Sequence, residues 1–327
     1  MHKLIQLAKE KCLKGMVLSR DEIVQLLSIP LLSETDDLLR KTARDVASIK
    51  TQNKGYIWSA IGLDFAPCPM NCKFCSFGDK WNIIKEKRIL TSEEILTRVK
   101  VQVENGAHYI VLRTTEFFSI SDLISLVQQI KKNIPGTYRI VLNIGEFDLD
   151  IARTLYENGV WGIYHTIRLR EGIDTCFDVK LRQKTQTAVM NSPLHLITLV
   201  EPVGIEHSNE EIADAFLTNV QKNTLINGAM ARVPVLGTPL GHKEAITSER
   251  LAQIIAVLRL SGGNIVQDIC VHPAGLSAFK SGANVMVVET GAVPRDAEYS
   301  PEDWEKMTIQ SAHQLLQSAN YETRHTF

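Results

Sequence analysis

From about Thr51 onward the chain alternates short apolar runs with longer amphipathic stretches. The short runs are Tyr56–Leu63, Tyr109–Leu112, Arg139–Ile144, Gly162–Ile167, Leu194–Val200, Met230–Leu236, Ile265–Cys270 and Val285–Val288. Each has the length and the β-branched or aromatic content of a strand. Between them, Thr91–Glu104, Ser121–Lys132, Leu149–Asn158, Asn209–Thr218 and Ser248–Leu260 repeat apolar positions every three or four residues, the period of a helix with one buried face. Strand–helix alternation implies parallel strands joined by right-handed crossovers. Eight such strands predict an α/β fold, a (β/α)8 TIM-type barrel, full or nearly full, with its functional groups at the carboxyl ends of the strands.

Residues 1–50 read as an N-terminal helical extension, and 51–327 as the barrel with a C-terminal helical tail. In the extension, Ser19 and Glu22 have the spacing of a capping box opening a helix over Ile23–Leu27. The 327 residues, 44% hydrophobic and 22% charged, have ordinary globular composition. With 36 basic and 37 acidic residues, a formal charge of −1 and no block of one sign, nothing calls for nucleic acid or an anionic membrane. Lys3, Lys9, Glu10 and Lys11 interrupt the amino-terminal apolar residues, so no secretory signal is expected there, and no stretch approaches the ~18 apolar residues of a membrane span. The expectation is a cytoplasmic protein, in which six cysteines are metal ligands or isolated thiols rather than disulfides.

Three of those cysteines follow the first strand, in Ala66-Pro67-Cys68-Pro69-Met70-Asn71-Cys72-Lys73-Phe74-Cys75. This C-x3-C-x2-C spacing lets three thiolates on one loop each ligate one iron of a [4Fe–4S] cubane. The fourth iron is left for a small molecule bearing an amine and a carboxylate, and S-adenosylmethionine (SAM) is such a molecule. One electron into its sulfonium yields a 5′-deoxyadenosyl radical able to take hydrogen from an unactivated carbon. Phe74 can shield the cluster and pack near an adenine. A structural zinc site is the bland reading, but zinc takes four ligands, commonly as two close pairs, and the next Cys or His in sequence is His108.

The triad, with an aromatic before its last cysteine, resembles the radical SAM superfamily. Three further segments resemble its biotin-synthase-like branch: Leu18-Ser19-Arg20-Asp21-Glu22, Gly237-Thr238-Pro239-Leu240 and Ser281-Gly282-Ala283-Asn284. The resemblance spans most of residues 18–295 and implies where SAM binds. Thr114 and Thr115 stand where the superfamily usually has a glycine-rich turn. His165 and Arg168 end the fourth strand, where ribose and amino acid are contacted. Arg182 matches an arginine that pairs the SAM carboxylate, a role suited to a planar guanidinium; a solvated helix charge is its bland reading. Glu201 and Val203 fall in the adenine-contacting stretch Val200–Glu206, where Glu201 and Glu206 could equally be loop carboxylates or a helix cap.

The second-cluster cysteines of biotin synthases are replaced here by Arg113, Asn143 and Ile197, with Gln267 near their arginine, so ordinary biotin synthase activity is not expected. A second iron–sulfur cluster would have to use Cys12, Cys176 and Cys270, which otherwise are three separate thiols. Arg113, Asn143, Arg170 and Arg232 are candidate substrate contacts, because a charge facing a barrel interior needs a partner; Arg232 could instead face outward into a salt bridge.

The leading expectation is a sulfurtransferase of lipoate biosynthesis, inserting sulfur into an acyl chain as biotin-synthase-like lipoyl synthases do. Its substrate would be a small molecule or a carrier-protein-bound acyl group. Flavodoxin or ferredoxin would donate electrons, and a second radical SAM protein could be a partner. The alternative is a radical mutase or lyase resembling methylornithine synthase or the hydrogenase-maturation relatives. A non-enzymatic iron–sulfur scaffold ranks last, since a carrier would close all four cluster positions with protein ligands.

Overall fold

The computed structural model describes residues 1–116, 118–292 and 307–325. Three helices come first: α1 (His2–Leu13), α2 (Arg20–Leu27) and α3 (Glu34–Thr51). Then follow β1 (Tyr56–Gly62), a small antiparallel ribbon of β2 (Asp64–Phe65) and β3 (Arg88–Ile89), α4 (Ser92–Glu104), β4 (Tyr109–Arg113), α5 (Ile120–Asn133), β5 (Arg139–Asn143), α6 (Leu149–Glu157) and β6 (Val160–Tyr164). The second half runs α7 (Val179–Met190), β7 (His195–Ile197), β8 (Val200–Val203), α8 (Asn209–Gln221), β9 (Ile226–Ala231), α9 (Ser248–Ser261), β10 (Asp268–His272), α10 (Leu276–Phe279), β11 (Val285–Gly291) and α11 (Ile309–Ser318).

Nine strands lie side by side in the order β7-β6-β5-β4-β1-β11-β10-β9-β8, every pairing parallel. The two edges, β7 and β8, are halves of one extended stretch interrupted at Thr198 and Leu199. The interruption is stitched on both sides. Leu199 N donates to Thr166 Oγ1 beyond β6, and Thr198 N reaches Ile226 O on β9. The ring therefore closes through the chain itself as eight staves, the full barrel.

Side chains divide by strand parity into two cores. Ile57, Ile61, Ile110, Leu112, Ile140 and Leu142 point outward under the helices. Trp58, Ala60, Tyr109, Val111, Val141, Ile197, Leu199, Ile226, Cys270 and Val285 fill the inside. Helix α3 packs on α9 and α2 on α8. The capping box at Ser19 and Glu22 is present, and Arg20 grips Asp214 of α8 with two bonds of 2.6 and 3.0 Å.

Strand six differs from its expected position. It occupies Ile226–Ala231 instead of Met230–Leu236, because the ladder runs through Asn227, Gly228 and Ala229, which carry no apolar signature. Gly228 has φ +145, and a Cβ there would lie 1.9 Å from Cys270 O, so only glycine fits between β9 and β10. Strand seven is likewise Asp268–His272, and strand four Val160–Tyr164. Helix α7 escaped the sequence search because its buried face is largely polar: Arg182, Thr185 and Gln186 beside Ala188 and Val189.

The segment Ser281–Asn284 is a hub at the amino ends of the strands. Asn284 Oδ1 accepts from Ile269 N and from Arg259 Nη2, while its Nδ2 donates to Asp268 Oδ1 and Lys54 O. The buried Arg259 also donates to Gly282 O and Gln267 O. One amide thereby ties together the starts of β1, β10 and β11. Asn284→Ala should leave several buried groups unpaired and cost stability toward the upper end of about 1–3 kcal/mol, read as a lowered urea midpoint at unchanged m-value.

Candidate active site

The cysteine loop leaves the barrel directly after β2. It closes on itself through Cys68 N to Phe77 O (2.6 Å), Asp79 N to Cys68 O (3.1 Å) and Cys75 N to Cys72 O (2.9 Å). Asn71, at φ +43, takes Lys80 N on its Oδ1 and donates its Nδ2 to Pro69 O. Other mouth loops hold it from outside. Lys73 N donates to Asp174 O, Leu240 N to Lys73 O, and Cys176 N to Met70 O, at 2.8–2.9 Å. The Gly237–Leu240 segment thus packs on the cysteine loop, and Arg232 secures it from below through Leu240 O.

Cys68, Cys72 and Cys75 are unbridged and border one hollow. Burial, before any neighbouring charge, pushes the Cys68 thiol to about 11 and the Cys72 thiol to about 12. Among the described residues, no three Cys, His, Asp or Glu side chains gather closely enough for a single metal ion. A cubane, whose irons are separate, takes one thiolate at each of three irons from such a loop. Metal binding would supply the positive charge that buried thiolates lack.

Beside the loop, the hollow is walled by Asp64, Thr114, Thr115, Glu116, Asn143, Arg168, Phe177 and Arg182. Thr115 gives its N–H and its hydroxyl to the two oxygens of Asp64, at 2.7 and 2.5 Å. Burial raises the Asp64 carboxyl, and these bonds oppose it. Arg168 Nη1 pairs with Glu171 at 3.2 Å, and its guanidinium lies over the Phe177 ring. Burial would discharge Arg168, but Glu171, Cys72, Glu201 and Glu116 surround it and raise its pKa. Arg182 is more fully committed. It donates to Thr166 O, pairs with Glu146 at 3.0 Å and lies 3.4 Å from Glu171; burial, then Arg168, lower its pKa.

Past Cys72, Phe74 and Cys75 the hollow opens into the barrel as a cavity enclosing about 1250 Å³ of non-atom space, its mouth included. Trp58, Ala60, Val111, Leu199, Met230 and Val287 make apolar walls, and Cys270 faces in from β10. Polar groups ring the upper part: Arg113 paired with Glu289 (3.3 Å), Asn143 donating to Tyr164 O (2.9 Å), Glu201 accepting from the Tyr164 phenol, and His272.

The structure thus brings Phe74, Arg113, Thr114, Thr115, Asn143, Arg168, Arg182 and Glu201 around the triad. Other expected contacts are corrected. His165 points away from the cavity, fully buried 3.2 Å from Glu146, because strand parity turns Tyr164 inward in its place. The Val203 side chain lies in the outer core, with its carbonyl taken by Arg232 N. Arg170 leaves the mouth to pair with Glu211 on α8. Arg232 borders the cavity, but its guanidinium is spent on Glu206 and the carbonyls of Leu240, Lys243 and Glu244.

The three spare cysteines do not meet. Cys12 is buried in α1 against Arg259 O at the amino-end face, Cys176 is exposed on the rim, and Cys270 alone faces the cavity. Gln267 precedes β10 at the barrel's opposite end; the residue that β10 presents to the cavity's upper part is His272. Ile197 lies deeper in the inner core, and Leu199 and Glu201 are what strand five presents to the cavity. Sequence reasoning overlooked Asp64, Glu146 and Phe177, and placed Glu116 and Glu171 at the mouth without giving them a role. Parity from β1 and the charge content of the mouth loops were the signals available for them.

A cysteine loop on the mouth of a barrel, beside buried arginines and above a deep cavity, is the arrangement that radical SAM chemistry requires. Residues 66–168 match the family described as the Radical SAM superfamily. Among curated proteins, the biotin synthase of Persephonella marina is 26% identical over 282 residues, 83% of this chain and 82% of its own. That of Brachyspira hyodysenteriae is 22% identical, covering 94% and 93%. Among solved structures, methylornithine synthase superposes with a TM-score of 0.79 at 19% identity over 97% of both chains. HydG, a maturase of the [FeFe]-hydrogenase, also gives 0.79 at 16%, over 98% of this chain and 75% of its own; at these identities both speak to the fold. Residues 66–168 thus form a Radical SAM domain, most of the chain is similar to biotin synthases at 22–26% identity, and the Radical SAM family works with a [4Fe–4S] cluster and SAM.

Alanine at Cys68, Cys72 or Cys75 should remove the cluster. The expected outcome is loss of about four irons per chain and of 5′-deoxyadenosine formation, measured by iron assay and chromatography.

Proposed function

We propose that Cys68, Cys72 and Cys75 ligate the cluster, and that the chain activates an aliphatic C–H bond of an acyl-chain substrate lying in the barrel cavity and inserts sulfur there, as a lipoyl-synthase-like sulfurtransferase. The observation carrying this reading is the cavity itself, with apolar walls along its depth and charged groups confined to its upper part. An aliphatic chain buried there would gain about 0.8 kcal/mol per methylene, while its polar head stays near Arg113, Asn143 and His272. The relatives named biotin synthases support it as well.

When bound, the cluster and SAM supply the hydrogen-abstracting radical. The chain's own residues do the rest. Arg168 offers its guanidinium to the SAM carboxylate, steadied by Glu171. Arg182 supports that position from behind through Glu171 and Glu146. Thr115, fixed by Asp64, presents the turn after β4, and Phe74 and Trp58 keep water from the reacting carbon. The substrate arrives as a small molecule or on a carrier protein, with electrons from a flavodoxin or ferredoxin.

One observation favours a second reading, a radical mutase or lyase. Of the thiols outside the triad, only Cys270 reaches the cavity, so the chain offers a sulfur-carrying cluster there one thiolate at most. Iron and sulfide counts after anaerobic reconstitution separate the two. About eight irons, with sulfur-bearing products from octanoyl conjugates, support insertion; about four irons and no sulfur in any product overturn it.

SAM binding tests the two arginines. Arg168→Ala should weaken it by about 1.5–3 kcal/mol, the range of hydrogen bonds to charged groups, with lysine restoring part of the loss. Arg182→Ala should weaken it less, because its bonds go to the protein. Calorimetric titration of SAM into cluster-loaded protein checks both.

A further inference from the structure

Barrel interiors of this type are normally filled by branched aliphatic side chains. Here the axis beneath the cavity is aromatic. Tyr164, on the cavity wall, meets Trp58 edge-on with 5.7 Å between ring centroids. Trp58 lies 5.9 Å from Tyr109, and Tyr109 lies 5.9 Å from Tyr56 and 5.5 Å from Trp161. Tyr109 is buried, whereas Tyr56 and Trp161 are half-buried at the amino ends of β1 and β6. An unbroken file of oxidisable rings therefore joins the cavity to the opposite face of the barrel. At the cavity end the Tyr164 phenol donates to Glu201; at the far end burial and then the charge of Asp268, which is held by Asn284 at the start of β10, raise the Tyr109 and Tyr56 phenols. Arg139 stands at the branch point, stacked on Trp161 at 4.5 Å and 3.5 Å from the Tyr109 hydroxyl.

We propose that the file Tyr164–Trp58–Tyr109–Tyr56 is an electron relay that quenches stray carbon radicals in the cavity with electrons drawn from the far face. The Tyr164 hydroxyl turns from Glu201 to the cavity and a carbon radical takes its hydrogen atom; a C–H bond forms, an O–H bond breaks, and a tyrosyl radical is left. An electron from Trp58 and a proton delivered through Glu201 from the cavity mouth restore the phenol. Tyr109 and then Tyr56 refill Trp58, each phenol releasing its proton toward Asp268 when it is oxidised and recovering it when reduced. At the far face a small-molecule thiol gives Tyr56 one electron and releases its proton to solvent, and two thiyl radicals couple to a disulfide. The inference rests on radical chemistry in the cavity and is indifferent to the product made there.

Pulse radiolysis of the cluster-free chain tests the file without any turnover. Azide radicals oxidise tryptophan first, and transfer to tyrosine is followed by absorbance. In the wild type the tryptophan radical should convert to tyrosyl at a rate independent of protein concentration. Tyr109→Phe combined with Tyr164→Phe, which removes the phenols beside Trp58 and Trp161, should slow that conversion by more than an order of magnitude. If this nearly isosteric double variant fails to fold, the Tyr164→Phe arm in the loaded enzyme decides alone. In the loaded enzyme with SAM and reductant but no substrate, freeze-quench EPR should find an aromatic radical that Tyr164→Phe abolishes. Unchanged transfer rates in the double variant would overturn the relay and reduce the rings to packing. Normal transfer with no radical in the loaded enzyme would overturn the quenching role.

Discussion

The main-chain bonds that pin the cysteine loop are the constraint on which the site depends. For the proposed cubane, a loop that already holds its shape presents its three ligands pre-organised. Here Lys73 bonds through its N–H to the loop after β6 and through its carbonyl to the loop after β9, while Met70 accepts from Cys176. The two loops that grip the triad are those carrying Arg168 and the Gly237–Leu240 segment. Placement of the cluster and of the groups beside it is therefore one structural event, and a disturbance of either loop reaches the other through a single residue.

Charge is the second constraint. Arg168 and Arg182 share a buried space with Glu116, Glu146 and Glu171, where an unpaired charge would be costly. The arrangement grades the two guanidiniums. Arg182 is bonded on nearly every side by protein and acts as a fixed support, whereas Arg168 turns toward Cys72 and the hollow. Glu116 stands opposite with its carboxyl pushed up by burial. Binding a zwitterion such as SAM exchanges existing pairs for new ones and need not strip a bare charge.

Sequence reading reached the barrel because its outer core obeys simple periodicities, and it reached the triad because spacing on one loop is local. It lost strand six where Asn227 and Gly228 replace apolar residues, since that strand's position is set by close approach to β10. Helix α7 was lost because it buries an arginine, a threonine and a glutamine. His165 and Tyr164 show the harder limit. They are adjacent in sequence, both polar and both plausible, and only the parity of β6 sends one to the cavity and the other to Glu146. The branch markers proved legible as motifs but opaque as physics. Asn284 ties strand starts together far from the chemistry, and Gly237–Leu240 braces the cysteine loop.

Hollowing the barrel has a consequence for what lies under the hollow. Ala60, on the cavity wall, leaves out bulk that usually plugs the axis and opens space below the cysteine loop. The floor must then be closed by large side chains, and β1, β4 and β6 supply Trp58, Tyr109 and Trp161. Aliphatic residues would close it equally well and would resist oxidation. Aromatic rings a few ångströms from a carbon radical are acceptable only if their oxidation is harmless or useful. The Tyr164 phenol, on the cavity wall and bonded to the Glu201 carboxylate, has a proton acceptor in place when its ring is oxidised.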